Sequence, residues 1–425
     1  NSKGEPCRAY FFNVKSREDR ERGLGILGDQ VSAERPNLRV VVAGGDGSVK
    51  WVLSELIRFG LAQIPIGVIP FGTGNDFSRA TGFGGAPPSP LIGHHKSALI
   101  ARLRMMLDAS TISLDVWKIR IHKGAGGKFM IAQGGQIVET QPDDDMMEQE
   151  MINYFSMGSD ARIVFEFEQL RTASQLGNKL VYVQRGANQI VHSPPRLRKM
   201  VRSMHGDTEE NVKFRKADRI LAFLNIPSYS AGANIWGKPS PSNRGPFLPQ
   251  YVGDGKLEAC TIRGTPNVAM VIGTGAKIGI KRTAQCSSYE MEFVPDSEIY
   301  IQIDGEPVLA KNPSRVTIEL GYKVNVLRAS GALAIASSIM TSPSSAAVQA
   351  GGSHIRTLVP GQPDAIHTEF VTSDFDEDHD HDESDGSDNE NDENNEHIAM
   401  NRKTSPGSKN SIHKRSSRAQ PDPEP

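Results

Sequence analysis

The chain has 425 residues, a formal net charge of −2 and three cysteines, Cys7, Cys260 and Cys286. This length allows two domains with additional segments. The sequence lacks an apolar run of the roughly 18 residues that a membrane-spanning helix needs, and residues 1–28 show no signal-peptide pattern, which argues against an integral membrane protein. The scattered cysteines have no metal-binding spacing and cannot all pair, as is typical of reduced thiols in an intracellular protein.

The charge is distributed unevenly along the sequence. Residues 366–425 carry 16 carboxylates and six Lys or Arg, which leaves residues 1–365 with 42 basic and 34 acidic residues and a net charge of +8. A basic body suits an anionic ligand or an anionic membrane surface, although such charge also occurs on an ordinary solvated face. Residues 330–425 lack core residues and are predicted to be a disordered, Ser/Ala/Gly/Pro-rich and acidic tail, which is a candidate surface for basic protein partners.

The stretch Leu38–Leu56 reads as a strand, a glycine turn and a helix. Leu38–Ala43 is a valine-rich run typical of a buried parallel strand, residues 44–48 are Gly-Gly-Asp-Gly-Ser, and apolar residues then recur at helical spacing. Glycines let backbone N–H groups approach a phosphate, and the helix N-terminus adds a favourable dipole. Asp46 is the exception in this turn, because a carboxylate repels phosphate unless a cation lies between them.

A second unit of the same kind follows. Ile64–Pro70 reads as the next strand, and residues 71–80 form another glycine turn in which Asn75 or Asp76 can cap the following helix. Two such turns, about 25 residues apart, are expected to meet at one edge of a parallel sheet. Neither turn has the lysine of the phosphate-binding loop or the three-glycine dinucleotide spacing. Two tight turns without a ligand are the alternative, and the carboxylates at this edge argue against it.

The pattern changes near Ile112 to short alternating strands, which predict a mainly-β second domain resembling a sandwich. Asp160 lies in this half of the chain. Asp304 and Gly305 are a turn signal after the alternating strand Ile299–Ile303, so that the next residue, Glu306, projects beyond the sheet.

Nine short motifs follow one another along the chain: GGDGSVKWVL (44–53), PFGTGNDF (70–77), FSMGSDAR (155–162), NKLVY (178–182), LNIPSY (224–229), GANIWG (232–237), DGKLE (254–258), AQCSS (284–288) and QIDGEP (302–307). Taken in this order, they resemble eukaryotic diacylglycerol kinases, which belong to a superfamily with sphingosine kinases and NAD kinase. Serine at position 48, where that family usually has threonine, keeps the hydroxyl. The resemblance extends over residues 38–327.

The resemblance implies a fold and a domain order. An α/β, NAD-kinase-like (Rossmann-like) catalytic domain is expected at residues 1–110, a mainly-β sandwich accessory domain at residues 111–329, and the tail at residues 330–425. The active site would lie in the cleft between the two domains. The family's first strand, with its phosphate turn, is not present in residues 1–13, so the sequence is expected to be a fragment of a longer enzyme.

The resemblance also implies an activity, the ATP-dependent phosphorylation of 1,2-diacylglycerol to phosphatidic acid in lipid signalling, with ATP and Mg²⁺ as cofactors. Carboxylates suit this chemistry, since they hold Mg²⁺ against phosphates and can remove the proton of an alcohol. By similarity Glu306 is the general base, and Asp46 is the second catalytic residue. The ATP-binding residues implied are Gly44, Gly45, Asp46, Gly47, Ser48, Gly72, Thr73, Gly74 and Asn75, and the metal-binding residues are Asp76, Asp160 and Asp254, the last as the ligand of a structural magnesium.

The expected partners are diacylglycerol and a membrane surface, with cytoplasmic, peripheral membrane localisation and no nucleic acid. Two alternatives remain open. The chain could phosphorylate another lipid, a sphingoid base or ceramide, because the first glycine turn is shared with such kinases. It could also be a truncated, non-catalytic regulator that binds lipid or nucleotide.

Overall fold

The structure is a computed structural model that describes residues 9–35, 37–88, 97–133, 135–169, 195–237, 247–275 and 277–331. These residues belong to one compact unit. The motif at residues 178–182 lies outside the described residues, as does the predicted tail beyond residue 331. Within the described part of the chain, the helices are too short or too polar to cross a bilayer.

The first part of the chain is an α/β unit. Strands β1 and β2 are parallel, and Val40 pairs with Ile66 at one end and Gly44 with Pro70 at the other. Both predicted strand–turn–helix units are confirmed. The elements are α1 (Arg17–Ser32), β1 (Val40–Gly44), α2 (Asp46–Arg58), β2 (Ile66–Pro70), α3 (Asp76–Ala80) and α4 (Ser97–Asp108).

Helix α2 is fixed to this sheet by the apolar residues that repeat along one face. All four side chains of that repeat are buried, and all five residues of β2 are buried. A parallel strand covered on both faces is expected to be apolar throughout, and the sequence of β2 fits this rule. The buried residues of the repeat are Val49, Val52, Leu53 and Leu56.

The remainder of the described chain is mainly β. Its elements are β3 (Ser110–Gln133), β4 (Gln136–Thr140), β5 (Met146–Met151), β6 (Tyr154–Gly158), α5 (Ser159–Gln169), α6 (Leu197–Met200), β7 (Val201–His205), β8 (Ile220–Leu224), β9 (Leu257–Ile262), α7 (Thr265–Thr274), β10 (Ile280–Cys286), β11 (Ser288–Phe293), β12 (Glu298–Ile303) and β13 (Glu306–Arg328). Thirteen described strands belong to one hydrogen-bonded network, whose main path runs β1-β2-β13-β12-β6-β8-β9-β10.

The largest apolar core lies among these strands, with side chains from β3 and from β5 to β13. The predicted fold class, an α/β domain followed by a mainly-β domain, is confirmed. The long strands β3 and β13 pair antiparallel along most of their length. Strand β13 pairs with β11, β12 and β3, so this single strand connects the parts of the sheet that surround the core.

The end of β13 returns to the first sheet. Val326 pairs in parallel with Ile66 of β2, and Val324 and Val326 are buried in the same apolar cluster as helix α2. Leu114 and Val116 of β3 belong to that cluster too. Strand β13, which begins at Glu306, therefore belongs to the same continuous sheet as β1 and β2, the strands that lead into the glycine turns.

Candidate functional site

The two glycine turns touch each other through bare backbone. A Cβ added at Gly72 would lie 2.6 Å from Gly45 Cα, and one added at Gly45 would lie 2.9 Å from Gly72 Cα. Real Cβ atoms do not approach other atoms so closely, so both positions need glycine. The Phe71 N–H also donates to the Gly44 carbonyl at 2.9 Å. The N-cap of α2 is Gly45, which has no side chain to cap the helix. This helix N-terminus therefore presents backbone N–H groups beside the second turn.

Asp46 connects the first turn to helix α3. Its carboxylate accepts hydrogen bonds from the N–H groups of Asp76 at 3.0 Å and Phe77 at 2.8 Å. Asn75 is the N-cap residue of α3, as predicted, but its side chain makes no capping hydrogen bond; the capping carboxylate comes from Asp46, thirty residues earlier in the chain. Burial raises the pKa of the Asp46 carboxyl, and the carboxylates of Asp76 and Asp304 raise it further.

Asn75 shapes the second turn with a side chain that does not cap the helix. Its φ of 53° lies in the left-handed region, which asparagine tolerates better than most residues. The side chain accepts from Gly72 N at 2.9 Å and donates to Gly72 O at 2.8 Å and to Gly85 O at 3.0 Å. With only 2% of its surface exposed, Asn75 fixes the turn from within.

Asp76 is buried and is held by the second half of the chain. One carboxylate oxygen accepts from Ser228 Oγ at 2.5 Å and Gly232 N at 3.1 Å. The other accepts from Ala231 N at 3.0 Å and Tyr154 Oη at 3.4 Å. This carboxylate therefore ties helix α3 to the segment after β8, and its oxygens already have protein donors.

Asp160 lies near the start of α5 in a polar cluster of its own. Its Oδ2 accepts from Ser156 Oγ at 2.5 Å, from Gln302 Nε2 at 2.8 Å and from the Tyr229 hydroxyl. Burial raises the pKa of this carboxyl, and the hydrogen bonds from Ser156 and Tyr229 oppose the shift. Its Oδ1 is buried without a hydrogen-bond partner in the described structure.

Asp304 stands in the tight turn that joins β12 to β13. Ile303 pairs with Glu306 across two residues that both have positive φ, as the predicted Asp-Gly turn requires. The Asp304 carboxylate accepts from three consecutive N–H groups at 2.9, 2.8 and 3.1 Å, those of residues 152, 153 and 154. Burial raises the pKa of the Asp304 carboxyl, and the positive charge of Lys50 opposes this.

Lys50 faces this turn from helix α2. Its Nζ lies 3.7 Å from Asp304 Oδ2 and 3.8 Å from Glu306 Oε2, distances at which charges attract but no hydrogen bond forms. The Lys50 side chain is only 15% exposed, whereas that of Glu306 is 62% exposed. The Lys50 Nζ atom is buried and makes no hydrogen bond to the described residues. An anionic ligand that reached this atom would not have to displace a hydrogen bond to a described residue.

Asp254 lies in a separate cluster. Its carboxylate accepts from Lys256 N at 2.9 Å, and burial followed by the nearby Asp115 carboxylate raises its pKa. Asp115 forms an ion pair with Lys323 at 3.1 Å, and the same Lys323 Nζ donates to Gly253 O at 2.7 Å. A lysine ammonium thus already supplies positive charge there.

The three residues predicted to bind metal have different protein partners. Asp76 and Asp160 accept from the consecutive residues Ser228 and Tyr229, whereas Asp254 accepts from Lys256 N. No group of three or more His, Cys, Asp or Glu suited to a metal ion occurs among the residues that the structure describes. The assignments of Asp76, Asp160 and Asp254 as metal ligands stay predictions, as do the ATP-binding and catalytic roles of the other residues.

Sequence reasoning missed Lys50 and the partners of the buried carboxylates. A signal for Lys50 was present, because it lies four residues after Asp46 on the same helix face. Tyr154, Ser228 and Tyr229 had a weaker signal, since the last two stand inside a recognised motif but carry no charge.

Comparison with known proteins identifies the family of this chain. The family model described as diacylglycerol kinase catalytic domain matches residues 13–107, and that described as diacylglycerol kinase accessory domain matches residues 150–307. Diacylglycerol kinase 4 of Arabidopsis thaliana is 30% identical over 340 residues, which cover 69% of this chain and 69% of the relative. The chain belongs to the diacylglycerol kinase family.

The mammalian relatives are longer proteins. Diacylglycerol kinase iota of Homo sapiens is 29% identical over 307 residues, which cover 69% of this chain but 27% of the relative. Human diacylglycerol kinase theta is 29% identical over 324 residues, covering 73% of this chain and 31% of the relative. A solved structure of a candidate diacylglycerol kinase from Bacillus anthracis str. Sterne is similar over 73% of this chain and 82% of that chain, at 17% identity and a TM-score of 0.39.

Proposed function

We propose that this chain transfers the γ-phosphoryl group of ATP to the free hydroxyl of diacylglycerol and forms phosphatidic acid. The observation that carries the proposal is the placement of Glu306. Its exposed carboxylate lies beside Lys50, and Lys50 belongs to helix α2, which begins at the first glycine turn. A candidate base and a candidate phosphate site are therefore neighbours, and they belong to the two domains that the family models match.

ATP fits the two glycine turns. A Cβ at Gly45 or Gly72 would collide with the other turn, so these glycines let the two turns meet backbone to backbone, and the N-terminus of α2 has no capping side chain. Backbone N–H groups at such a terminus bind phosphate oxygens and carry the positive end of the helix dipole. In this proposal Gly44–Ser48 and Gly72–Asn75 hold the phosphates, and Asp46 and Asn75 hold the two turns in register.

Magnesium enters this proposal as part of the Mg–ATP substrate. Mg²⁺ in kinases is usually bound by one or two carboxylates together with substrate phosphates, and it keeps several waters. Burial raises the pKa of Asp46, and the carboxylates of Asp76 and Asp304 near it add to the shift, so negative charge is concentrated at this corner. A divalent cation arriving with the nucleotide would offset this charge. Because Asp76 and Asp160 already accept protein hydrogen bonds, they would act on the ion through water.

Glu306 is the proposed general base. Phosphoryl transfer depends mainly on positioning and charge stabilisation, and an alcohol nucleophile gives its proton to a group within hydrogen-bond reach. The hydroxyl proton would pass to a Glu306 carboxylate oxygen as the oxygen–phosphorus bond forms and ADP leaves. The tight turn and the three N–H bonds to Asp304 fix the start of β13, and so keep this carboxylate in place.

Lys50 is proposed to stabilise the transferred group. Its ammonium has no hydrogen-bond partner in the described structure and lies within 4 Å of both turn carboxylates. A phosphoryl oxygen entering between the glycine turn and Glu306 would meet these free donors. A preorganised cation at that point stabilises the charge that moves during transfer.

The site of action is proposed to be the surface of a membrane, where diacylglycerol resides, with phosphatidic acid as a product for lipid signalling. Peripheral association suits residues 1–365, whose net charge of +8 favours an anionic surface.

A lipid panel tests the proposed function. The full chain is incubated with labelled Mg–ATP and mixed micelles of diacylglycerol, a sphingoid base or ceramide, and the labelled lipids are separated. Label in phosphatidic acid, with little in the other lipids, is expected. Preferential label in a sphingoid or ceramide phosphate would reject the proposed substrate, and binding of an ATP analogue without any turnover would reject catalysis.

A further inference from the structure

The surface around helix α7 and the start of strand β10 differs from the rest of the chain in its charge. Residues 259–289 contain no Asp or Glu but four basic residues, Arg263, Lys277, Lys281 and Arg282. Within this stretch, helix α7 (Thr265–Thr274) has no charged side chain at all. A run of thirty-one residues with only positive charge and an uncharged apolar helix is unusual in a chain whose acidic and basic residues are nearly equal in number.

Helix α7 is apolar on both its faces. Val268 and Val271 are buried in the cluster formed with β8 and β9. On the outside, Met270 and Ile272 are 38% and 52% exposed, and Ile278 in the following turn is 61% exposed. One apolar face is explained by packing against the sheet, while the other faces away from the protein without a described partner.

The turn after α7 is built as part of the same surface. Asn267 Nδ2 donates to Ile278 O at 2.8 Å, which holds this turn against the helix. Lys277 and Lys281, which precede and follow Ile278 in the sequence, are exposed, and the Lys277 ammonium lies against Gly237. Burial and the neighbouring Arg282 charge lower the pKa of Lys277, as expected where positive charges are concentrated.

We propose that Met270, Ile272, Lys277, Ile278 and Lys281 form a docking face that inserts its apolar side chains into an anionic lipid bilayer; this deepens the proposed function and rests on it. Apolar residues flanked by lysines match the boundary between acyl chains and anionic headgroups. A protein partner fits less well, because lysine is depleted at protein interfaces. Two lysines at the tip of an apolar surface therefore favour lipid.

The docking face is connected to the candidate active site by a short segment. Gly232 N binds Asp76 at 3.1 Å, and four residues later Trp236 O accepts from Arg282 Nε at 2.8 Å. Four residues span at most about 14 Å. The Arg282 guanidinium also lies 5.5 Å from the Trp236 ring centroid. This segment therefore links Asp76, at the start of α3, to Arg282, the residue that follows Lys281 of the docking face.

Vesicle binding by the full chain tests the docking face. Phosphatidylcholine vesicles with and without phosphatidylserine are sedimented with the wild type and with Ile272→Glu/Ile278→Glu or Lys277→Gln/Lys281→Gln. The wild type is expected to prefer the anionic vesicles. The lysine variant should bind them about 30-fold more weakly, since each basic residue contributes about a fivefold factor near an anionic surface. The isoleucine variant should lose at least about tenfold.

Matched controls separate this effect from general changes of surface. Ile137→Glu alters an isoleucine that is 47% exposed on β4, and Lys128→Gln/Lys311→Gln removes two exposed lysines from β3 and β13. Both controls should bind like the wild type. Circular dichroism and thermal unfolding establish that every variant is folded.

Activity on a water-soluble short-chain diacylglycerol separates failure of this proposal from failure of the proposed function. Docking-face variants should match the wild type on that substrate and fall behind on vesicles. A wild type that is inactive on both substrates would reject the kinase proposal. Vesicle binding, which does not depend on activity, would then still decide whether the docking face exists. Unchanged vesicle binding by both docking-face variants would overturn the docking face.

Discussion

The ammonium of Lys50 lies 3.8 Å from the carboxylate of Glu306 across the junction of helix α2 and strand β13. Because the Glu306 side chain is 62% exposed, such a pair contributes at most about 1 kcal/mol to stability. The position of the Lys50 ammonium matters more than this contribution to stability. The ammonium is buried and makes no hydrogen bond to a described residue, so it can exchange its contact with the carboxylates for one with a phosphate oxygen without breaking an existing hydrogen bond.

Lys50→Met is expected to lower kcat about 100-fold with a smaller change in the KM for ATP, because it removes a donor aimed at the charge that moves in the transition state. Lys50→Arg should recover part of the loss. Steady-state kinetics at varied ATP measure both. Lys311→Met, at an exposed lysine, serves as the control. Wild-type kcat and KM in Lys50→Met would contradict the role proposed for Lys50.

Asp46→Ala is expected to lower the free energy of unfolding by about 2–3 kcal/mol, because the buried N–H groups of Asp76 and Phe77 lose their acceptors. Asp46→Asn keeps one acceptor and should lose about half as much. Urea unfolding gives both values. Activity is expected to disappear in Asp46→Ala, since the two turns would no longer be held together. A stability equal to the wild type in Asp46→Ala would show that this carboxylate does not cap α3.

Glu258 makes the stability dependent on pH. Burial raises the pKa of this carboxyl from 4.5 to about 8, while hydrogen bonds from Gln250 and Gln285 favour the charged form. The folded state therefore holds the proton more tightly than the unfolded state, and this contribution to stability is lost as the pH rises from 4.5 to about 8. Inside that window the loss is at most about 1.4 kcal/mol per pH unit.

Glu258→Gln removes this titration. Relative to the wild type, its free energy of unfolding should improve steadily as the pH rises through the window and stay constant below it. Denaturant unfolding at several pH values measures the difference, with Glu290→Gln on the exposed side of β11 as the control. A difference that does not vary with pH would refute the raised pKa.

Chelation tests the cluster around Asp254. Lys323 already pairs with Asp115 and binds Gly253 O; if this ammonium is the only cation of the cluster, EDTA leaves Tm unchanged within about 1 °C. In Lys323→Met the buried Asp115 carboxylate loses its counter-ion, which should cost about 1–3 kcal/mol. Added Mg²⁺ should then raise the Tm of this variant more than that of the wild type. A fall in wild-type Tm on adding EDTA would instead favour a structural metal ion at Asp254.

The local parts of the fold could be predicted from the sequence. The valine-rich strands, the glycine turns and the apolar repeat of α2 depend on neighbouring residues, and so does the Asp304-Gly305 turn. Their periodicity and turn chemistry are visible in short windows of sequence. The resemblance to a known family supplied Glu306, which no pattern in the residues alone distinguishes from an ordinary glutamate after a turn.

The long-range contacts could not be predicted. Asp46 was expected to face a cation, yet its oxygens bind the N-terminus of α3. Lys50 meets Asp304 across more than 250 residues of sequence, and the end of β13 pairs with β2. The last two contacts depend on the path of β13, which begins beside Asp304 and ends in its pairing with β2, and no local pattern encodes that path.

The most direct measurement is phosphatidic acid formation by the wild type and by Glu306→Gln, assayed with Mg–ATP and diacylglycerol in mixed micelles. Glu306→Gln keeps the size of the side chain but cannot accept the hydroxyl proton, so kcat should fall about 10²–10⁴-fold. Glu298→Gln, at an exposed glutamate of β12, should keep wild-type activity. Phosphatidic acid formed at equal rates by the wild type and Glu306→Gln, or no product from the wild type, would contradict the proposed site.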